Sequence, residues 1–325
     1  MFPMRMIFHA EASPQIGAGH VMRVATIAEK AIREGHECHF VGEIKGLVWV
    51  KEYIEHLGFQ TVRPAFRDIS PIIIDSILIF DSYNLSEDSI CLQHSIWALT
   101  VNVCDRFTPD YSADLYVLQD LSVPVNGRNR KVLSGPDFTL LRQGITKSRR
   151  PKNSNGPLNI VVTGGGSDPF YFVEHVLLQL ISIDFNFKVD AFADYPLPAL
   201  ESPKVTLHKN GTLLDRIAPL AGLAITTAST TSVEFIAREI PTLIACVTPN
   251  QIPNYLDFSR LGYALPIGER TDESGWNIDS KTLKNAIILS SVRDSLVSRI
   301  QELIDLKATS RVLDEIKVRI SEKSF

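Results

Sequence analysis

The sequence has no basic excess: 33 lysine and arginine residues stand against 37 aspartate and glutamate residues, a formal net charge of -4. A protein that neutralises many nucleic-acid phosphates carries a surplus of lysine and arginine, so nucleic acid is not an expected partner. Cysteine is scarce and unpatterned. Cys38, Cys91, Cys104 and Cys246 form no C-x-x-C pair and stand at no metal-ligand spacing from one another. Neither a disulfide framework nor a metal site is expected, and a reduced, intracellular compartment is the simplest reading. No stretch reaches the ~18 uninterrupted apolar residues of a membrane span. The start turns polar at His9 and Glu11, too soon for the apolar region of a signal peptide. A soluble, cytoplasmic protein without an integral membrane segment is expected. What the sequence does hold is enough to fold. Hydrophobic residues make up 45% of its 325 positions and charged residues 22%, the proportions of a globular protein. At about 100–200 residues per domain, the length predicts two domains.

Short apolar runs alternate with helical periodicity along most of the chain. Strands are predicted over 4–8, 37–41, 77–80, 98–103 and 115–118. Helices are predicted over 17–34, where Val21, Ala25, Ala28 and Ile32 recur at helical spacing before Gly35, and over 48–57. From Gln143 to Pro157 turn formers and charges replace the apolar rhythm, as in an interdomain linker. The rhythm restarts with strands over 158–163, 187–192, 223–226 and 242–247 and helices over 172–181 and 231–238. After Gly275 the pattern reads as helical nearly to the end. The expected organisation is a domain over 1–147, a linker over 148–157 and a second domain over 158–325 whose last helices pack back on the first. Strands alternating with helices in both halves predict two α/β domains around mostly parallel sheets. Ligands of such sheets sit beyond the carboxyl ends of the strands, so function is expected in strand-to-helix loops lining a cleft between the domains.

Three loops have the chemistry for it. The first runs Ala12-Ser13-Pro14-Gln15-Ile16-Gly17-Ala18-Gly19-His20. Gly17 and Gly19 allow close backbone approach, and the helix start beyond them offers N–H groups to an anion. Arg23 stands where a dinucleotide fingerprint has its third glycine. A tight turn without a ligand accounts for this fragment equally well. His20 falls in the first helical turn, whose positive end favours a neutral imidazole, the form a general base requires. His36, His39, His56, His94, His175 and His208 are scattered and receive no role.

The second loop, Thr163-Gly164-Gly165-Gly166-Ser167-Asp168-Pro169, suits a backbone nest around a diphosphate. It lacks the Gly-Lys-Ser/Thr of a Walker A loop. The third, Thr226-Thr227-Ala228-Ser229-Thr230-Thr231-Ser232-Val233-Glu234, ends a strand in hydroxyls. Hydroxyls and helix N–H groups hold phosphate, and Glu234 is placed to accept from a ribose diol. A capping box, Thr231-x-x-Glu234, explains the same residues without a ligand.

Together these segments resemble the UDP-sugar hydrolases of pseudaminic acid biosynthesis and the wider spore-coat-polysaccharide group around them. The resemblance is carried in order by Ile16-Gly-Ala-Gly-His20-Val-Met-Arg23, Asp81-Ser82-Tyr83, Cys104-Asp105-Arg106, Ala113-Asp114-Leu115 and Ser134-Gly135-Pro136-Asp137-Phe138-Thr139-Leu140-Leu141-Arg142. It continues through Gly164-Gly165-Gly166-Ser167-Asp168, Ala228-Ser229-Thr230 with Glu234, Asn250-Gln251 and Arg311-Val312. It implies two Rossmann-like domains of GT-B type with an interdomain cleft, and hydrolysis of a UDP-sugar by water attack at C1 with inversion, without a metal or other cofactor. His20 matches the catalytic histidine. Tyr83 and Asn250 match positions near the sugar, Glu234 the ribose, and Gly166, Ser229 and Thr230 the phosphates, with Gly165 and Gln251 also expected to bind substrate. Gly17, Gly19 and Arg23 would shape the first loop or meet the phosphate charge. The chain departs from the family at His9 and Glu11, where an arginine and an aspartate are usual, and at Thr163. A glycosyltransferase using a UDP-sugar donor, or a nucleotide-sugar-binding protein without turnover, fits the same loops.

Overall fold

The computed structural model describes residues 3–83, 93–105, 112–121, 132–148, 156–197, 202–211, 213–271 and 275–323. Cys91, Arg106 and most of the expected linker lie outside the described residues. Two compact units are present, one of residues 1–143 with 305–325 and one of residues 144–304.

The first unit holds seven strands: β1 (Arg5–Ala10), β2 (Glu37–Val41), β3 (Thr61–Arg63), β4 (Ile77–Asp81), β5 (Leu99–Cys104), β6 (Leu115–Leu118) and β7 (Val132–Leu133). They form one sheet in the order β3-β2-β1-β4-β5-β6-β7, every pair parallel. Alternation along the strands divides the core. Met6, Phe8 and Ala10 join Phe40, Ile79 and Val101 on one face, while Ile7 joins Val41, Leu78 and Phe80 on the other. Helix α1 (Gly19–Arg33) covers the first face, and α2 (Val48–His56) follows β2. Every residue from His20 to Ala28 is buried. Gly42, just past β2, has φ +155°, and a Cβ there would lie 1.8 Å from the carbonyl oxygen of Ala10. Only glycine permits that approach of the β2 end to the β1 end.

The second unit repeats the plan with β8 (Leu158–Thr163), β9 (Phe187–Phe192), β10 (Val205–His208), β11 (Leu223–Thr227), β12 (Thr242–Cys246), β13 (Leu265–Arg270) and β14 (Trp276–Ile278), and helices α3 (Phe172–Leu180), α4 (Leu214–Ile217), α5 (Thr230–Ala237), α6 (Ile252–Leu261), α7 (Ser280–Ile288) and α8 (Ser290–Ile300). The order is β10-β9-β8-β11-β12-β13-β14, parallel except for β13 with β14. The expected helix after Gly275 therefore begins later: Trp276–Ile278 pairs as an edge strand, and the indole Nε1 of Trp276 donates to the Phe170 carbonyl at 3.0 Å. The last helix, α9 (Ala308–Lys323), belongs to the first unit. Its Val312, Leu313 and Ile316 join the α1 side of that core, which is why α1 is buried on the face turned from the sheet as well. Among the described residues no helix is long and apolar enough to cross a membrane.

Candidate functional site

Each sheet has a point where the strand order reverses, between β1 and β4 in the first unit and between β8 and β11 in the second. Loops leaving adjacent strands in opposite directions open a crevice there, the usual ligand position of such sheets. In the first unit Ala10 pairs with Asp81, so the ends of β1 and β4 lie side by side. After β1, the Gly17 N–H donates to the Ser13 carbonyl at 2.7 Å, and the Ile16 N–H donates to the Ser13 hydroxyl at 3.2 Å. Gly17 takes φ +86°, in the region that favours glycine. This turn delivers the chain to α1, whose N-terminus carries no side-chain cap.

His20 and Arg23, one turn apart on α1, share one side of the helix. Both meet Asp81, the last residue of β4. His20 Nδ1 lies 2.5 Å from Asp81 Oδ1, Arg23 Nε donates to Asp81 Oδ2 at 2.6 Å, and Arg23 Nη2 donates to Oδ1 at 3.1 Å. Arg23 Nη1 donates to Asp105, which follows β5, and the Tyr83 hydroxyl donates to the other Asp105 oxygen. The edge of the Tyr83 ring packs on His20, with centroids 4.3 Å apart at 87°. His20, Arg23 and Asp81 are all buried. Burial pushes the Asp81 carboxyl upward, but the Arg23 charge and the hydrogen bonds from His20 and Arg23 outweigh it and hold its pKa below the usual carboxylate value. Burial likewise opposes the Arg23 charge, and Asp105 and Asp81 overcome it, raising its pKa well above the ordinary arginine value.

An ionised carboxylate only accepts hydrogen bonds, so the His20–Asp81 contact is donated by Nδ1–H, and in the neutral ring the lone pair then lies on Nε2. Glu11, Ile16, His20, Asp81, Ser82 and Tyr83 line one concavity. Arg23, expected to support the loop or a phosphate, is engaged by two carboxylates. Sequence reading named His20, Arg23 and Tyr83 but gave Asp81 and Asp105 no role. The signal was their position, each at the end of a buried central strand.

In the second unit the glycine-rich loop after β8 and the hydroxyl-rich loop after β11 meet. The Thr227 hydroxyl donates to the Gly164 carbonyl at 3.1 Å. Gly165 takes φ +106°, and a Cβ there would stand 3.1 Å from Ser229 Oγ and 3.6 Å from Thr231 Oγ1. Ser229 Oγ is itself buried without a hydrogen-bond partner. Thr226 Oγ1, at the end of β11, is in the same position, and an unpaired buried hydroxyl costs about 1–3 kcal/mol. Asp168 ties this loop to α3, accepting from the Phe172 and Val173 N–H groups at 2.9 Å each and from the Tyr195 hydroxyl at 2.6 Å. Its burial raises its pKa above the usual value despite those bonds.

The expected capping box does not form. Helix α5 starts at Thr230 with Ser229 at the N-cap, and neither Ser229 nor Thr231 supplies a side-chain cap. Glu234 consequently lies beyond the first turn, buried on α5. At the end of β12, Asn250 is exposed, with its Oδ1 accepting from the Thr248 hydroxyl at 2.5 Å, and Gln251 Oε1 accepts from the Val247 N–H at 3.1 Å. The site residues thus form two groups. Gly17, Gly19, His20, Arg23 and Tyr83 belong to the first unit. Gly165, Gly166, Ser229, Thr230, Glu234, Asn250 and Gln251 belong to the second.

No family model matches the chain. A search of curated proteins finds an uncharacterised protein of Methanocaldococcus jannaschii, 24% identical over 290 residues, which cover 78% of this chain. The chain spans only 58% of that relative's length. Solved structures give a broader likeness. The glycosyltransferase of kitacinnamycin superposes with a TM-score of 0.69 at 12% identity, covering 98% of this chain and 100% of that one. Acinetobacter baumannii MurG gives 0.66 at 12%, covering 96% and 99%. A UDP-N-acetylglucosamine 2-epimerase gives 0.59 at 12%, covering 100% and 98%. At such identities the likeness speaks for the fold: two Rossmann-like domains of GT-B type.

Proposed function

We propose that this protein hydrolyses a UDP-sugar, releasing UDP and a free N-acetylated deoxy sugar of the kind used for nonulosonic (pseudaminic-type) acid or surface polysaccharide synthesis. The observation that carries the reading is the His20–Asp81 contact at the strand-order reversal of the first unit. Its lone pair on Nε2 is what a general base needs, and its carboxylate stabilises the imidazolium that forms when the ring takes a proton. The sequence resemblance to UDP-sugar hydrolases and the fold shared with enzymes named for nucleotide sugars support the substrate class.

In the reaction, His20 Nε2 removes a proton from water as the water oxygen bonds to sugar C1 on the face opposite the leaving group. The C1–O bond to the β-phosphate breaks, and its electron pair departs with UDP. A nucleoside diphosphate needs little help to leave. The N–H groups of the Gly165–Gly166 backbone, the Ser229 hydroxyl and the start of α5 at Thr230 would spread its charge. Glu234 would accept from the ribose, with Asn250 and Gln251 at the neighbouring strand end. Ser229 Oγ, buried and unpaired, gains its missing partner when a phosphate oxygen arrives.

The test incubates the protein with a panel of UDP-sugars, with and without acceptors, and follows UDP and sugar by NMR. Free sugar without acceptor is expected. UDP release only when an acceptor is present would instead identify a glycosyltransferase, and UDP binding without turnover a binding protein. His20→Ala should abolish turnover and leave UDP affinity nearly intact. Glu234→Ala should weaken UDP in calorimetry, and an unchanged affinity would remove Glu234 from the site.

A further inference from the structure

The mechanism leaves one carboxylate of the His20 concavity unused. Glu11 is the first residue after β1 and lines that concavity beside His20, Asp81 and Tyr83. Asp81 and Asp105 are both held by Arg23. Glu11 makes no hydrogen bond or ion pair with any described residue. Two neighbouring basic groups feel its charge, and neither neutralises it. Lys45 is exposed and pairs with Glu43 at 2.9 Å. His9 is buried, and burial lowers its pKa, so it is neutral at pH 7. Around the reacting histidine, three carboxylates therefore face one guanidinium among the described residues. Arg23 is already shared by two of them, so the third is left facing the ligand.

We infer that Glu11 determines the charge of the sugar this site accepts. Its carboxylate takes a hydrogen bond from a sugar hydroxyl or N–H and turns away sugars that carry a carboxylate or phosphate. An ionised carboxylate has no donor to offer, so only donor groups satisfy it. A second negative charge brought near it is repelled, and no cation among the described residues lining the concavity compensates. Selection of this kind works through the element that penalises the wrong ligand.

The inference rests on the UDP-sugar reading, and one titration series separates the two. UDP, UDP-glucose and UDP-glucuronate share the nucleotide and differ, between the two sugars, only in a hydroxymethyl or a carboxylate at C6. Wild-type protein should bind UDP-glucose about tenfold more tightly than UDP-glucuronate, because only the second brings a like charge toward Glu11. In Glu11→Gln, nearly the same shape without the charge, the preference should shrink to within about threefold, and in Glu11→Lys it should reverse. UDP itself should bind all three proteins alike, which also shows that the variants fold. Equal preference in wild type and Glu11→Gln, or no preference in wild type, overturns the role of Glu11 while leaving the nucleotide site standing. Failure of wild-type protein to bind UDP overturns the UDP-sugar reading and the inference with it.

Discussion

Replacing Asp81 by asparagine removes one charge and leaves the shape. The oxygen that receives the His20 Nδ1 proton at 2.5 Å becomes part of a neutral amide, and Arg23 exchanges the two carboxylate oxygens it reaches at 2.6 and 3.1 Å for a single uncharged one. Two effects follow, on different observables. Arg23 is 5% exposed, and without Asp81 it keeps Asp105 as its one carboxylate partner among the described residues. Breaking a buried ion pair by removing one partner costs about 3–5 kcal/mol. The surviving Asp105 contact places the expected loss near the lower end, about 3 kcal/mol by urea unfolding. Catalysis suffers separately. The asparagine NH₂ can donate to Nδ1, which moves the ring proton to Nε2 and leaves no lone pair for water. Loss of a positioned base costs roughly 10²–10⁴-fold in rate, and UDP release should fall by that much. UDP affinity should stay within about twofold, because the proposed phosphate contacts lie on the second unit. The decisive assay adds His20→Ala and the double variant His20→Ala/Asp81→Asn. Groups acting as one unit are non-additive, so the double variant should be no slower than His20→Ala alone. An Asp81→Asn protein with wild-type kcat, or a double variant whose loss is the product of the single losses, would refute the dyad.

Three further outcomes are expected. Ser229→Ala removes a buried hydroxyl without a partner; the free protein should gain about 1 kcal/mol in stability while losing UDP affinity, and a loss of stability would mean the hydroxyl is satisfied within the chain. His9 has a pKa lowered by burial from 6.5, so between its folded value and 6.5 the unfolded chain binds more protons. Its contribution is therefore fully present above pH 6.5 and lost as pH falls below it. Melting temperatures between pH 7.5 and 5 should drop less steeply in His9→Gln than in wild type. Gly42→Ala would drive a methyl group onto the Ala10 carbonyl, 1.8 Å away, and should cost about 3 kcal/mol or more in chemical denaturation; a wild-type midpoint would show that the two strand ends can part freely.

The central strands were legible in the sequence because their buried parts read as short apolar runs, Ile77–Phe80 and Ile160–Val162 among them. The margins were not. Thr61–Arg63, Val132–Leu133 and Val205–His208 are short or half-exposed, and Leu265–Arg270 carries Pro266, Gly268 and a register shift. Trp276–Ile278 was absorbed into the helical pattern that follows, since three residues set no period of their own. The site divided in the same way. His20 was marked by the glycines before it, a local signal. Asp81 lies 61 residues from His20 and Asp105 lies 82 from Arg23, and only the β1–β4–β5 pairing brings them together. The capping box failed for a local reason: the strand–helix turn begins the helix at Thr230, one residue before the threonine that would cap it.

The most direct test of the central claim is hydrolysis in H₂¹⁸O of whichever UDP-sugar the panel turns over, with no acceptor present and the released UDP weighed by mass spectrometry. Attack at C1 leaves the bridging oxygen on the β-phosphate, so the UDP should carry no ¹⁸O. Label in the UDP would place the attack at phosphorus and contradict the role given to His20, and no UDP release without an acceptor would contradict hydrolysis itself.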